Sequence, residues 1–319
     1  MLSTPFTEMF GCRVPIQLAA MPNVSGIDLA AAVAGAGGFA MLGAPLAEPD
    51  ALAAMLDEAK ARTDGHVGVN FLMPFLNPEC LDVAAERVPL VEFFYDDPDV
   101  RLVERGRRGG ARVAWQVGSV EEAKAAADAG VDVIIAQGAE AGGHVRGTTA
   151  LLPLLAEVLD SVSVPVVAAG GIASARSLAA VLAAGAAAAR VGTRFLVSIE
   201  SLAHPRYVDA LVAARAEDTV LTEAFSVMWP RAPHRVLRSA VDAAGSLASE
   251  IAGETDVGGS SIPIPRQGVI PPSRSTTGNI EAMSLYAGQS VASIHSVEPA
   301  AEIVAALVDG AQRLLRARA

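Results

Sequence analysis

Three times in this chain an alanine-rich run ends in glycine and passes at once into an apolar stretch. Ala34-Gly35 leads into Phe39, Ala129-Gly130 into Val133, and Ala184-Gly185 into Ala188. A glycine at a helix end lets the backbone turn and re-enter as a strand, the connection that a regular array of strand–helix units requires. The alternation is continuous from residue 16 to about residue 215. Strands are predicted at Ile16–Ala20, Phe39–Leu42, Val67–Phe71, Leu90–Tyr95, Arg112–Val117, in the run Val131, Val133, Ile134, Ile135 before Gln137, and at Val164–Ala168 and Ala186–Val191. Between them Ser25 is read as a helix cap, Pro49–Ala61 as a helix, and Asn77-Pro78 as a helix start. Eight strands alternating with helices predict an α/β chain folded as a (β/α)8 TIM barrel, with an open doubly wound sheet as the alternative. Only the barrel puts all eight strand ends around one mouth.

Composition fits the same class. Hydrophobic residues make up 52% and aromatics only 4%, so alanine-rich helices must pack on Val/Ile strands, which argues against an all-β protein. After residue 216 the pattern changes. Phe225 to Arg235 and Gly258 to Gly278 carry prolines, glycines and polar turns, around a helix expected near Leu237 to Ile251. Residues 1–215 with 281–319 are therefore assigned to the barrel, and 216–280 to a smaller, loop-rich inserted domain covering its mouth. Phe225, Met228 and Trp229 are expected to be buried there. Helical character is expected again at Ile280–Ile294 and at Pro299–Arg316.

The net charge of −11, from 24 basic and 35 acidic residues, disfavours nucleic acid and anionic membranes as partners. Leu18 to Leu42 is apolar but broken by Pro22, Asp28 and glycines, so it is not a membrane span. The first residues lack the basic and apolar regions of a signal peptide, and a cytoplasmic protein is expected. Cys12 and Cys80 can make no disulfide framework; both are read as buried, and no metal site is expected.

Chemistry points to the strand ends. Gln137-Gly-Ala-Glu-Ala-Gly-Gly-His-Val-Arg-Gly147 follows the sixth strand and holds His144, one of five histidines, directly after Gly142 and Gly143. Backbone without a Cβ lets a ligand come close, and an imidazole can take a proton near neutral pH. Gly170-Gly171 ends the seventh strand ahead of Ser174, and Gly192-Thr193 ends the eighth. In a barrel these two loops supply backbone donors for a phosphate. Met21 can pack on a flat ring, while Asn70, Gln116 and Gln137 offer amides, with an ordinary loop hydrogen bond as the competing reading of each. A phosphate on one side of the mouth with amides lining the rest suits FMN. His66, His204, His234 and His295 lack a glycine-lined strand end and are read as structural or surface residues.

Four segments carry a family resemblance: Ala136 to His144, Pro165 to Ile172, Val191-Gly-Thr-Arg-Phe195 and Tyr286-Ala-Gly-Gln-Ser290. With Met21-Pro22 and Val69-Asn70, they make the chain resemble, nearly end to end, the nitronate monooxygenases, formerly called 2-nitropropane dioxygenases. The Glu-Ala-Gly-Gly-His and Gly-Gly-Ile segments are shared with flavin-dependent enoyl-acyl-carrier-protein reductases, which Ser198 to Tyr207 also resembles. The resemblance implies an FMN-binding barrel. It assigns flavin contacts to Met21, Asn70, Gln137, Gly142, Gly171, Gly192 and Thr193, with Tyr286, Gln289 and Ser290 near the phosphate, and catalysis to His144. Gly143 and Gly170 complete the two glycine pairs and are counted with these contacts. One departure stands out: Val145 and Arg146 precede Gly147, where the family pattern has one residue before the glycine.

The expected reaction is oxidation of an alkyl nitronate, or its parent nitroalkane, by O2 through flavin to a carbonyl compound and nitrite. His144 would act as base or anion holder. The alternative is an NAD(P)H-dependent reductase of an activated carbon–carbon double bond, and a third reading is a flavin-binding protein without turnover. No Gly-x-Gly-x-x-Gly dinucleotide fingerprint is present. The partners expected are a small-molecule substrate with O2 or NAD(P)H, and a homodimer is the candidate assembly.

Overall fold

The computed structural model describes residues 2–44, 46–257 and 259–317, without the side chain of Val257; Gly258, which opens one of the glycine-bearing stretches above, lies outside it. Among the described residues there are fourteen strands: β1 Ile16–Leu18, β2 Ala40–Gly43, β3 Val67–Leu72, β4 Leu90–Phe94, β5 Arg112–Val117, β6 Val133–Gln137, β7 Gly143–His144, β8 Val166–Ala169, β9 Ala188–Val191, β10 Thr219–Thr222, β11 His234–Leu237, β12 Ile251–Val257, β13 Ser260–Pro265 and β14 Thr277–Gly278.

Eight of these form one parallel sheet in the order β1-β9-β8-β6-β5-β4-β3-β2. A parallel bridge from Gln17 to Phe39 joins β1 to the residue before β2, so the sheet closes into the (β/α)8 barrel. Each barrel strand is buried on both faces, which is why each reads as an apolar run rather than an alternating one. Leu, Val and Ile of the outer faces pack under the helices. Phe39, Met41, Leu90, Ala114, Val133, Ile135, Val167 and Ala188 form a separate cluster with Phe6 and Cys12.

The N-terminal end of the barrel is plugged by the helix Pro5–Phe10. Thr4 caps it reciprocally with Thr7, Pro5 occupies its first turn, and Gly11 ends it in the left-handed conformation. Phe6 and Phe10 meet Phe39 at ring-centroid distances of 5.7 and 4.8 Å. The closing helix Ala300–Arg316 packs on Ala175–Ala183 and Ile27–Gly35. Among the described residues no helix is long and apolar enough to cross a membrane.

Beyond the barrel, β10, β11 and β7 form an antiparallel sheet, and β13, β12 and β14 another. Several local expectations are corrected. Ser25 is not the cap of Ile27–Gly35; Gly26 is, because the Ser25 hydroxyl is turned back to the Met21 carbonyl at 2.9 Å. The helix expected over Leu237–Ile251 runs Arg238–Ser246, and Ile251 opens β12. Ile280–Ile294 holds two short 3-10 turns, Ile280–Ala282 and Gln289–Ser293, in place of a helix. Phe225 and Trp229 are buried as expected, but Met228 is half exposed: its left-handed backbone, φ 78°, turns its side chain outward.

Candidate active site

The stretch after β6 is not a free loop. Ala139 donates its N–H to the Thr149 carbonyl at 2.8 Å, and the Glu140 carboxylate accepts from Leu151 N at the start of the helix Leu151–Ser161. An anion at that helix terminus is favourably placed. Gly143 and His144 then pair as β7 with Arg235 and His234 of β11, and Val145 N bonds the Pro233 carbonyl at 2.8 Å. Gln137 Nε2 donates to the His144 carbonyl at 3.0 Å. The histidine backbone is thus fixed from both sides.

The departure after His144 has a physical account. Arg146 reaches Glu122 at 2.5 Å and Asp97, while the Glu122 carboxylate also accepts from Gly118 N at 2.8 Å. Gly147 lies so close to Gly118 that a Cβ on it would fall 2.1 Å from the Gly118 oxygen. The longer loop is therefore pinned to the ends of β4 and β5.

The imidazole of His144 sits in an aromatic wall. Trp229 stacks on it with centroids 4.0 Å apart and planes at 22°. Tyr286, His234 and Tyr95 surround it at 5.6, 5.3 and 6.0 Å, and Phe75 and Tyr95 meet Trp229 edge-on at 5.3 and 4.7 Å. His144 Nε2 is sealed from solvent and has no hydrogen-bond partner. Burial, with a smaller effect from His234, pushes its pKa down to about 3, so the ring is neutral at physiological pH.

His234 is fixed differently. Its Nε2 accepts from Phe225 N at 3.1 Å, which makes Nδ1 the protonated nitrogen, donating to the Ala232 carbonyl at 2.8 Å. Both its nitrogens are used by backbone, so it supports the wall structurally.

The glycine turns converge on the segment Tyr286–Ser290. A Cβ on Gly142 would lie 2.5 Å from Gly288 N and 2.8 Å from Ala287 C, so only glycine allows this backbone contact. Gly288 N donates to Thr193 Oγ1 at 3.0 Å, and Gln289 N donates to the Glu140 carbonyl at 3.0 Å. Gly170 and Gly171 both have positive φ, 106° and 68°, and a Cβ on Gly171 would meet Glu140 Cγ at 3.1 Å. A Cβ on Gly192 would lie 3.6 Å from Met21 Sδ. Around Gly143 a Cβ would meet nothing within 4 Å, so this glycine faces open space. Gln289 is exposed and Ser290 half-buried in their 3-10 turn. Tyr286, at the start of this segment, turns its ring toward His144, and its hydroxyl donates to the Val269 carbonyl at 2.8 Å.

Asn70 and Gln116 lie elsewhere, in a polar layer across the C-terminal end of the barrel interior. Glu92 on β4 and Arg190 on β9 form a buried ion pair there. Asn70 Nδ2 donates to Glu92 at 2.8 Å, Arg190 donates to Gln116 Oε1 at 2.7 Å, and Arg190 Nε donates to Gln17 Oε1 at 2.8 Å. Sequence reading missed Gln17, Glu92 and Arg190, and it missed the role of Trp229 as a direct partner of His144. The signal was available: Leu90-Val-Glu-Phe-Phe94 and Ala188-Ala-Arg-Val191 each bury one charged residue in an apolar run.

A family model described as nitronate monooxygenase matches residues 3–85 and 78–310. A 5-hydroxy-7a-methyl-1-oxo-octahydro-1H-indene-4-carboxyl-CoA dehydrogenase of Mycobacterium tuberculosis is 36% identical over 247 residues, 75% of this chain and 67% of the relative, about two thirds of its length. Among solved structures, FabK from Thermotoga maritima superposes with a TM-score of 0.81 at 30% identity, covering 99% of this chain and 98% of that one. A nitroalkane oxidase from Streptomyces ansochromogenes gives a TM-score of 0.80 at 30% identity, covering 98% and 99%.

Proposed function

This oxidoreductase belongs to the nitronate monooxygenase family, and on that premise we propose that it uses bound FMN to oxidise alkyl nitronates, or their parent nitroalkanes, to a carbonyl compound and nitrite. The observation that carries the reading is the unpartnered, sealed Nε2 of a neutral His144 at the barrel mouth. A neutral imidazole with a free lone pair can accept the α-proton of a nitroalkane. Its charged form is costly in a dry aromatic wall, but it arises beside the nitronate anion, and that pairing offsets part of the desolvation. With a substrate already ionised, the same ring holds the anion and needs no transfer.

The residues fit a flavin. Gln137 Oε1 is a second buried atom without a partner, and Gly143 opens on free space. In this reading Gly170, Gly171, Gly192, Thr193, Tyr286, Gln289 and Ser290 take the phosphate side, and Met21, Asn70, Gln137, Gly142 and Gly143 approach the ring. The flavin, when bound, supplies the electron acceptor and the route to O2. In this reading the segment 216–280 covers the mouth, which the stacking of its Trp229 on His144 supports. The protein works on a small molecule in the cytoplasm.

A second reading, NAD(P)H-dependent reduction of an enoyl thioester, is supported by the likeness to FabK, an enoyl reductase, at 30% identity. One anaerobic experiment separates the two. Flavin bleaching by ethyl nitronate and not by NAD(P)H supports the oxygenase; bleaching by NAD(P)H alone replaces it with the reductase.

A further inference from the structure

Amide side chains are ambiguous readers, because rotation by 180° exchanges donor for acceptor. At this barrel mouth they are not free to exchange. A carboxylate only accepts, so the NH2 of Asn70 must face Glu92, 2.8 Å away, and its Oδ1 must face outward. A guanidinium only donates, so Gln116 must turn Oε1 to Arg190, 2.7 Å away, and present its NH2. The remaining Arg190 and Glu92 contacts hold the two charges on each other, with Gln17 Oε1 taking Arg190 Nε at 2.8 Å. Among the described residues, no hydrogen bond uses Asn70 Oδ1 or Gln116 Nε2. The ion pair therefore leaves one acceptor on β3 and one donor on β5, flanking Glu92 on β4.

We propose that Glu92 and Arg190 are positioning residues that set the polarity of the mouth: Asn70 as acceptor and Gln116 as donor, to read the imide edge of a flavin ring. That edge carries an N–H between two carbonyls, a donor flanked by acceptors, and the sorted amides are its complement. A buried ion pair adds little to stability compared with apolar residues of similar size. Its value here is that neither neighbouring amide can be satisfied in the flipped orientation. The inference rests on the flavin reading above, and it makes the site selective for an intact imide.

The test compares binding of FMN and of 3-methyl-FMN, which lacks the imide N–H, by quenching of flavin fluorescence. The wild-type protein should bind FMN about tenfold or more tighter, since a buried acceptor left unpaired weakens binding by about that factor. Asn70→Leu removes the acceptor and should bring the ratio close to one. The paired variant Glu92→Leu/Arg190→Met leaves no unpaired buried charge and frees both amides to rotate. It should fold, bind FMN, and also show a ratio near one. A merely structural role for the pair would weaken both flavins together and keep the ratio, and that result overturns the proposal. Equal wild-type affinity for the two flavins also overturns it while leaving the flavin reading intact. Failure of the wild-type protein to bind FMN at all removes the flavin reading and the proposal with it.

Discussion

Trp229 lies flat on His144, with the indole and imidazole centroids 4.0 Å apart. The two residues are far apart in the chain, and the contact makes the titratable ring part of an aromatic stack. It brings together two effects: it excludes water from the imidazole and closes one direction of approach to it.

Replacing Trp229 with Ala should therefore widen the range of substrates, admitting bulkier nitroalkanes, while leaving the FMN content unchanged. Loss of so large a buried side chain costs about 3–5 kcal/mol of stability, so Trp229→Phe serves as a milder companion. The check is kcat/KM over a homologous substrate series. An unchanged profile in the Ala variant would detach the 216–280 segment from specificity.

His144→Ala should lower turnover of a neutral nitroalkane by about 10²–10⁴-fold, the range for a positioned acid–base group. The loss with a pre-ionised nitronate should be much smaller, because no proton remains to be moved. Rates on both substrate forms across pH decide the role. Equal losses leave His144 as an anion-holding residue only, and no loss on either form removes it from the reaction.

Gly171→Leu should abolish FMN retention. The backbone at this position has φ 68°, and a side chain would project against Glu140. The left-handed conformation costs an ordinary residue about 1–2 kcal/mol, which the barrel should survive. Absorbance of the purified variant gives the flavin content, and cooperative thermal unfolding shows that the fold persists. A folded variant with full FMN locates the phosphate elsewhere.

Acid should destabilise the fold through the same wall. Burial holds His144 at about 3 and lowers His234 as well, whereas a free imidazole titrates near 6.5. Between roughly pH 6.5 and 3 the unfolded chain holds the His144 proton and the folded chain does not, and His234 acts in the same direction. Stability is then complete above about pH 6.5 and falls as pH drops, by up to about 1.4 kcal/mol per unit for His144. Urea midpoints at about pH 7.5 and 5 should converge in His144→Phe relative to wild type. An identical fall in the variant would place the sensitivity elsewhere.

The barrel was legible because its strands, buried on both faces, appear as continuous apolar runs punctuated by glycines. The glycine turns and His144 were legible for the same reason, lying where those runs stop. Other parts left no periodic trace. A strand of two residues such as β7 has no pattern, and its partner is some ninety positions away in the chain. Glu92 and Arg190 looked like single interruptions of apolar segments; only closure of the ring reveals that each answers the other. The stretch 280–294 has helix-forming composition, yet Gly288 must meet Gly142 backbone to backbone, and that contact wins over propensity.

The pairing of β7 with β11 also sets an order of events. Every strand of the ring has been synthesised once Val191 leaves the ribosome, including β9, which must reach back to β1. His234, Arg235 and Gly288, which fix the loop of His144 in place, are made only afterwards. The outer helix Ala300–Arg316, which packs on Ala175–Ala183 and Ile27–Gly35, is made later still, so the last layer of the barrel and the support of the His144 loop both come from the closing part of the chain. A nascent chain stalled between residues 191 and 234 has every barrel strand but neither β11 nor the closing helix Ala300–Arg316, so the scaffold and the candidate site are both finished only at the end of synthesis.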